Sequence, residues 1–506
     1  MRTDRQDSVA TRPRRSTHPP FCALVAIAVV VAPTAAHAQS GDQGSEQRSD
    51  LRAATETGLR RAVELRGEQN PRFSIRERMD YYHVPGLSLA VIDDGAIAWM
   101  AAYGVGDSTN PWPVSVTTLF QAASISKAVV AVAAMRMRDA ELIDLDRDIG
   151  VYLEQYVLPP GRQSLDNPVT FRNLLSHTSG ITAGGYAGYA PDAPLPTDLQ
   201  ILRGESPANS RAIAVDSPPG TAVAYSGGGY TLIELAMQDI SGRPFEDVMS
   251  RWVLSPLAMQ RSTFQQPLPE ALAADAAVGH DSAGARVEGG WRVHPEQAAA
   301  GLWTTAHDLA TFAAEIARAY RGGSEFLSHS TAIELLTEQL DGEAVGLVLS
   351  GEGATFSFNH AGGNIGYRAF MIMHPATGDG AVVLTNSDTG TGVIDEILRS
   401  LSVAYDWPDY RPLRIEAVKV SPRRLERLAG RYEFDLGGPH PNVVEILFES
   451  KGVEFGIEFP NGDIYPLTAF GPTSFVHVDT GVTVEFEGVR NETLVVYGNR
   501  GTRRRP

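Results

Sequence analysis

The sequence predicts an α/β domain followed by a small antiparallel β-barrel-like domain. Three observations carry that expectation. Gly86–Ile92 and Ala96–Met100 are apolar runs joined at Asp93-Asp94-Gly95, whose Asp-Gly pair suits a tight hairpin turn. Ala128–Met135 is apolar on every side, as expected of a helix buried in a large domain. Beyond residue 425, short alternating runs such as Val443–Phe448, Gly452–Phe459 and Val482–Phe486 have the period of antiparallel strands.

With 506 residues, 43% of them hydrophobic, the chain can fill two cores. Its start reads as a leader. Arg12, Arg14 and Arg15 precede an apolar run from Phe21 to Ala32, and Ala36-His37-Ala38 is a small-x-small cleavage site. Residues 1–38 are therefore expected to be a signal peptide cut after Ala38, and the protein to be periplasmic or secreted. The apolar run is short for a bilayer crossing, so no stable membrane span is expected after cleavage. The single cysteine, Cys22, falls inside the leader, which excludes thiol catalysis, disulfides and thiolate metal sites from the mature chain. A net charge of −17 argues against nucleic acid and anionic membranes as partners. There is no His-Glu-x-x-His, no Gly-x-Ser-x-Gly and no other metal-spaced cluster, so the zinc and α/β-hydrolase routes lack support.

Taken in order, residues 39–58 are polar and expected to be mobile. The pattern predicts an amphipathic helix over Leu59–Tyr82, then the hairpin. Gly104–Pro113 is a Gly/Pro-rich loop, and its Gly-x-Gly lacks the third glycine of a nucleotide loop. A short turn, Phe120–Ala123, feeds the apolar helix. Residues 140–175 read as helical pieces. At Leu174–Gly180 a helix ends, and His177 either braces that turn or serves as a second base. The loop from Ile181 to Asn209, with Pro191, Pro194, Pro196 and Pro207, is long enough to be a functional lid or rim. The glycines of Pro218–Tyr230 open a helix reaching Ile240. Residues 298–320 form a helix capped by Thr304 or Thr305. In Phe356–Phe370, Gly362 and Gly363 leave backbone open to a ligand, and Ala381–Asn386 is a further strand. The expected domains are 59–405, a linker over 406–420, and a C-terminal β domain over 421–506.

Ser124 and Lys127 are the candidate chemistry. Three residues apart at a helix start, their side chains share one face, and the helix N-terminus favours developing negative charge. Lysine can act as a base only when neutral, which desolvation can arrange. The chain holds three lysines against forty arginines. A lysine placed in an apolar helix suggests chemistry that arginine, which does not deprotonate, cannot do. The bland alternative is a capping serine and a snorkelling lysine.

Ser-x-x-Lys at Ser124–Lys127, Tyr-Ser-Gly at Tyr225–Gly227 and His-Ala-Gly at His360–Gly362 stand in that order. Together with Leu174–Gly180 and Gly301–Ala310 they resemble the serine β-lactamase and penicillin-binding protein superfamily, nearest its class C, DD-peptidase and family VIII carboxylesterase branch. The resemblance spans roughly residues 75–405. It implies a β-lactamase-like fold, an antiparallel sheet flanked by helices plus a helical subdomain, with the site between. It implies Ser124 as nucleophile, Lys127 as its base and Tyr225 as proton shuttle. The oxyanion hole would be the N–H groups of Ser124 and Gly363, donors worth about 3–4 kcal/mol each. Gly227, His360 and Gly362 would face the substrate, and no metal or cofactor would be needed.

Two departures bear on substrate. The superfamily's second motif usually ends in Asn, and here Gly227 has no side chain. The third usually begins with Lys, and here it is His360, expected to be a weaker carboxylate anchor titrating near neutrality. The expected function is an exported serine hydrolase working through an acyl-enzyme on a small ester or peptide. The alternatives are a β-lactamase or D-amino-acid peptidase, whose substrate would be a β-lactam or D-Ala peptide, and a non-catalytic fold binding peptidoglycan fragments or a partner.

Overall fold

The computed structural model describes residues 36–435, 442–488 and 491–504, and the backbone alone over residues 36–45. The basic and apolar parts of the expected signal peptide lie outside the described residues. The described residues from 48 onward form one compact unit. The first described element is a helix, Ala36–Glu56 (α1), where a mobile polar segment was expected. Its last turns are tied down: the Tyr103 hydroxyl donates to Glu56 and the Ser400 hydroxyl to the Thr55 carbonyl. No described helix is long and apolar enough to cross a membrane.

The helix expected over Leu59–Tyr82 is divided. Val63–Leu65 is a short strand (β1), and only Ile75–Tyr81 (α2) is helical. Leu59 pairs across to Phe73, and the intervening Pro71 cannot sit inside a helix. Ser74 and Glu77 then form a reciprocal capping box that starts α2. The hairpin follows as Gly86–Asp93 (β2) and Ala96–Gly104 (β3), turning at Asp94-Gly95.

Phe120–Gln121 is a two-residue strand (β4) leading into Ile125–Asp139 (α3). Gly227–Ser241 (α4) is the glycine-entered helix. Residues 298–320 are a short helical turn, a strand Trp303–Thr304 (β5) that pairs with β4, and the helix Ala306–Tyr320 (α5), capped by Thr305. The sheet is completed by Val348–Ser350 (β6), Ser357–Asn364 (β7), Tyr367–His374 (β8) and Asp379–Thr385 (β9), before the helix Gly390–Ala404 (α6).

The six strands run antiparallel in the order β3-β2-β9-β8-β7-β6. Alternation along them separates two cores. On one face, Ala90, Met371, Val382 and Leu384 meet α3 and the Leu309, Phe312 and Ile316 stripe of α5. On the other, Leu87, Leu89 and Val383 meet Val393, Ile397 and Leu401 of α6. A β-lactamase-like α/β fold is thus present, with α3 buried from Ile125 to Met135.

The expected linker is structured. Leu413–Ile415 (β10) pairs in parallel with β1, and Trp407 is buried. A helix, Pro422–Leu428 (α7), then precedes nine antiparallel strands that form a nearly closed, barrel-like sheet. Its two edges, Ile464–Pro466 and Thr468–Ala469, are consecutive in sequence, which brings them together. This barrel belongs to the same compact unit as the main sheet. Val63, Ile415 and Val476 share a small apolar cluster, and the Val63 N–H donates to the Val478 carbonyl.

Candidate active site

The mouth of α3 is held before the helix begins. The Ala122 N–H donates to the Leu302 carbonyl, and the Ser126 hydroxyl donates to the Ala123 carbonyl while accepting from the Leu302 N–H. These bonds keep Ala123 at φ +49, a conformation that non-glycine residues adopt only when their surroundings fix it. Ser124 occupies the capping position, yet its hydroxyl caps nothing in the helix. The hydroxyl instead meets Lys127: Nζ lies 3.2 Å from the Ser124 Oγ and 2.6 Å from the Ala299 carbonyl. Lys127 does not snorkel. It is buried, and burial alone pulls its amine down to about 7 from 10.5. Among the described residues no carboxylate pairs with it. An amine in this state can donate to Ala299 and still offer a lone pair to the serine.

Tyr225 closes the site from the segment before α4. Its ring lies 4.9 Å from Lys127 Nζ. One side of the residue remains open, 43% exposed. Burial of its hydroxyl end pushes the phenol up to about 12, a hydrogen bond with Ser124 opposes that rise, and Glu343 adds to it. His177 supports this segment. Its carbonyl accepts from the Ala224 N–H, its Nδ1 accepts from the Ser226 N–H at 3.1 Å, and its ring lies 4.2 Å from that of Tyr225, tilted by 37°. Burial, with Lys127 and His360 nearby, keeps it neutral, so His177 braces the turn.

The third strand of the site is β7. The Ile365-Gly366 turn closes a two-residue hairpin between β7 and β8, so Asn364 and Tyr367 form a hydrogen-bonded pair. Antiparallel alternation then directs the N–H and C=O of Gly363 and Ala361 away from β8. Strand β6 pairs with β7 only as far as Asn359, which leaves this stretch of edge unpaired by β6. Gly362 is required for approach to the serine: a Cβ there would stand 2.1 Å from the Ala122 carbonyl oxygen.

Ser124, Tyr225, His360, Gly362 and Gly363 line one cavity of about 460 Å³, with Glu343, Arg368 and Asp395 also on its wall. Lys127 lies beneath Ser124. Gly227 is placed apart. A Cβ on it would meet the Tyr186 ring at 3.0 Å, and the Tyr186 hydroxyl is fixed 2.9 Å from Thr231 Oγ1. The aromatic ring therefore occupies the space beside Gly227.

The expected behaviour of His360 needs correction. The ring is buried, and its Nδ1 is 2.7 Å from the Ala361 carbonyl. Burial first and Lys127 second lower its pKa to about 4, so it is neutral at pH 7 and gives a carboxylate no charge. The cation on the cavity wall is Arg368, which pairs with Asp388 at 3.0 Å and donates to the Asn364 and Tyr367 carbonyls. Neither Tyr186 nor Glu343 was singled out from the sequence. Each sits in irregular chain, Tyr186 within the Pro-rich loop and Glu343 just before β6. Among the described residues no cluster of His, Cys, Asp and Glu could hold a metal ion.

The Beta-lactamase family profile matches residues 74–404. Penicillin-binding protein 4 of Amycolatopsis lactamdurans is 26% identical over 386 residues, covering 71% of this chain and 95% of that protein. Among solved structures, the octameric penicillin-binding protein homologue from Pyrococcus abyssi superposes with a TM-score of 0.58 at 22% identity, over 84% of this chain and 98% of the other. The crystal structure of SurE with D-Leu gives 0.54 at 20% identity, over 91% and 100%. These two structural likenesses are likenesses of fold.

Proposed function

We propose that this chain, which belongs to the Beta-lactamase family, is an exported serine hydrolase that forms an acyl-enzyme on Ser124 and prefers small esters or short peptides to β-lactams. The observation that carries the reading is the contact of Ser124 Oγ with a buried lysine amine held at about 7. In acylation, Lys127 takes the hydroxyl proton as Oγ bonds to the carbonyl carbon. The resulting oxyanion is received by the N–H groups of Ser124 and Gly363. Its collapse breaks the bond to the leaving group, which gains the proton through Tyr225. Water then repeats the sequence, and the acid leaves as Ser124 recovers its proton.

The substrate preference rests on two features. Tyr186 fills the space beside Gly227 where the superfamily's amide would sit, and His360 is neutral. A β-lactam or D-Ala peptide loses an acyl-amide contact and a carboxylate contact, each worth about 1–3 kcal/mol. A short ester needs neither. Export rests on the leader, and an N-terminus at Gln39 in material recovered from outside the cytoplasm would support it.

The test is intact mass after exposure to a fluorophosphonate and, separately, to a penicillin. One fluorophosphonate adduct on the peptide containing Ser124, with turnover of p-nitrophenyl butyrate, is expected. An adduct on another serine, or none on folded protein, overturns the mechanism. A second reading, a penicillin-binding peptidase or β-lactamase, is favoured by the similarity to penicillin-binding protein 4 over nearly its whole length. A penicillin adduct or fast nitrocefin hydrolysis with negligible ester turnover would establish that reading instead.

A further inference from the structure

The cavity that holds the expected carboxylate anchor, His360, also carries a carboxylate. Glu343 lies in a folded-back segment, Leu340–Val348, whose backbone is fixed: the Glu343 N–H donates to the Leu340 carbonyl, its own carbonyl accepts from Gln339, and Glu343 bridges to Val348. Gly346, at φ +72, lets this segment press onto α3, since a Cβ there would stand 2.3 Å from the Ala131 side chain. The Glu343 side chain is thus held at the cavity shared by Ser124 and Tyr225.

Its surroundings offer no counter-charge. Among the described residues the Glu343 carboxylate has no ion-pair or hydrogen-bond partner. Lys127 is held near neutrality and hydrogen-bonds elsewhere, His360 is neutral, and Arg368 is engaged by Asp388. The wall also carries a second acid, Asp395, with Arg399 at 3.9 Å. Glu343 is half-buried, and burial alone raises its carboxyl to about 7, as expected of an acid partly withdrawn from water with no compensating partner.

We infer that Glu343 is a specificity-determining residue that receives a protonated primary amine carried by the substrate. The inference rests on the proposed hydrolase site and narrows its substrates to amine-bearing esters or peptides. An ammonium in the cavity supplies the donor and the charge that Glu343 lacks. A substrate carboxylate in the same place meets an acid. Glu343 sits within electrostatic reach of the Tyr225 phenol, so the amine is held beside the reacting centre.

The experiment compares p-nitrophenyl 6-aminohexanoate with p-nitrophenyl heptanoate, equal in length and differing in the terminal charge, on wild type and Glu343→Gln. The readout is the ratio of the two kcat/KM values, in which any general change in activity cancels. A wild-type ratio of roughly tenfold or more for the amine, the scale of a hydrogen bond to a charged group, is expected to fall close to one in Glu343→Gln. A wild-type ratio at or below one, or a preference unchanged by the substitution, overturns the inference while leaving the hydrolase reading intact. Hexylammonium binding, followed by ligand line broadening in NMR, needs no turnover. If neither ester is hydrolysed, the acyl-enzyme reading fails, and loss of that broadening in Glu343→Gln sustains the amine site. Equal broadening in both proteins rejects it.

Discussion

Replacing Lys127 by methionine should abolish activity and stabilise the fold. The side chains are similar in length, so packing around α3 changes little. What changes is the proton. An amine held at about 7 in the fold binds a proton less readily than the same amine in the unfolded chain, at 10.5. At pH 7 that difference costs the native state at most about 4–5 kcal/mol, at about 1.36 kcal/mol per tenfold. Methionine removes the cost but leaves the Ala299 carbonyl without its donor, a penalty of about 1–3 kcal/mol. A net gain of roughly 1–4 kcal/mol at pH 7 follows from these terms. The sign of the pH dependence is fixed. Between about pH 7 and 10.5 the unfolded wild type carries a proton that the folded form has released. Wild-type stability from this group therefore rises with pH across that window, and methionine's advantage shrinks by about 3 kcal/mol between pH 7 and 9.5. Urea unfolding of both proteins at the two pH values measures it. A methionine variant less stable than wild type at pH 7, or a stability difference that ignores pH, would refute the claim that burial holds Lys127 near neutrality.

Three further outcomes are expected. The kcat/KM for p-nitrophenyl butyrate should climb through an apparent pKa near 7 as Lys127 loses its proton, and keep that limb in Glu343→Gln; a flat wild-type profile from pH 6 to 8.5 contradicts the assigned base. Gly227→Asn alone should not improve nitrocefin hydrolysis, because its Cβ meets the Tyr186 ring, whereas Gly227→Asn with Tyr186→Ala should raise nitrocefin kcat/KM roughly tenfold or more, at about 1–3 kcal/mol for the restored amide; equal rates in the single and double variants would show that Tyr186 is not the obstacle. A chain ending at Val420 keeps β10 on β1 and should retain ester turnover with a lower melting temperature, since Val63 and Ile415 lose Val476; a folded but inactive product would place the barrel in the catalytic site.

The parts of the fold that could be read from sequence are those in which one stretch of chain carries its own instruction. The β2–β3 hairpin has its Asp-Gly turn, α3 its apolar run, and α5 its capping threonine. The failures involve distant partners. Nothing within Val63–Leu65 announces that Leu413–Ile415 lies beside it, about 350 residues away, and a three-residue strand is too short for an alternating pattern. The expected linker is structured for the same reason: Trp407 finds its burial against α6 and the sheet. The helix expected over Leu59–Tyr82 overlooked Pro71, although Ser74 and Glu77 spelled out the true start.

The site divides along the same line. Ser124 and Lys127 are one helical turn apart, so sequence spacing alone places hydroxyl and amine together, and the depth of α3 sets the amine's state. Tyr225, His360 and Gly363 reach the same cavity through tertiary folding, and only a resemblance between motifs could join them beforehand. The residues proposed to bear on substrate choice carry no motif at all. Tyr186 and Glu343 lie in space that other elements define, one beside Gly227 and one in the cavity that Tyr225 lines. A motif records groups that make and break bonds, because their spacing is constrained by the reaction. The walls of the cavity answer to the substrate, and in this chain they carry a neutral His360 and a half-buried acid, Glu343. That acid has no counterpart in the three motifs, and Glu343 is where the proposed specificity should first be altered.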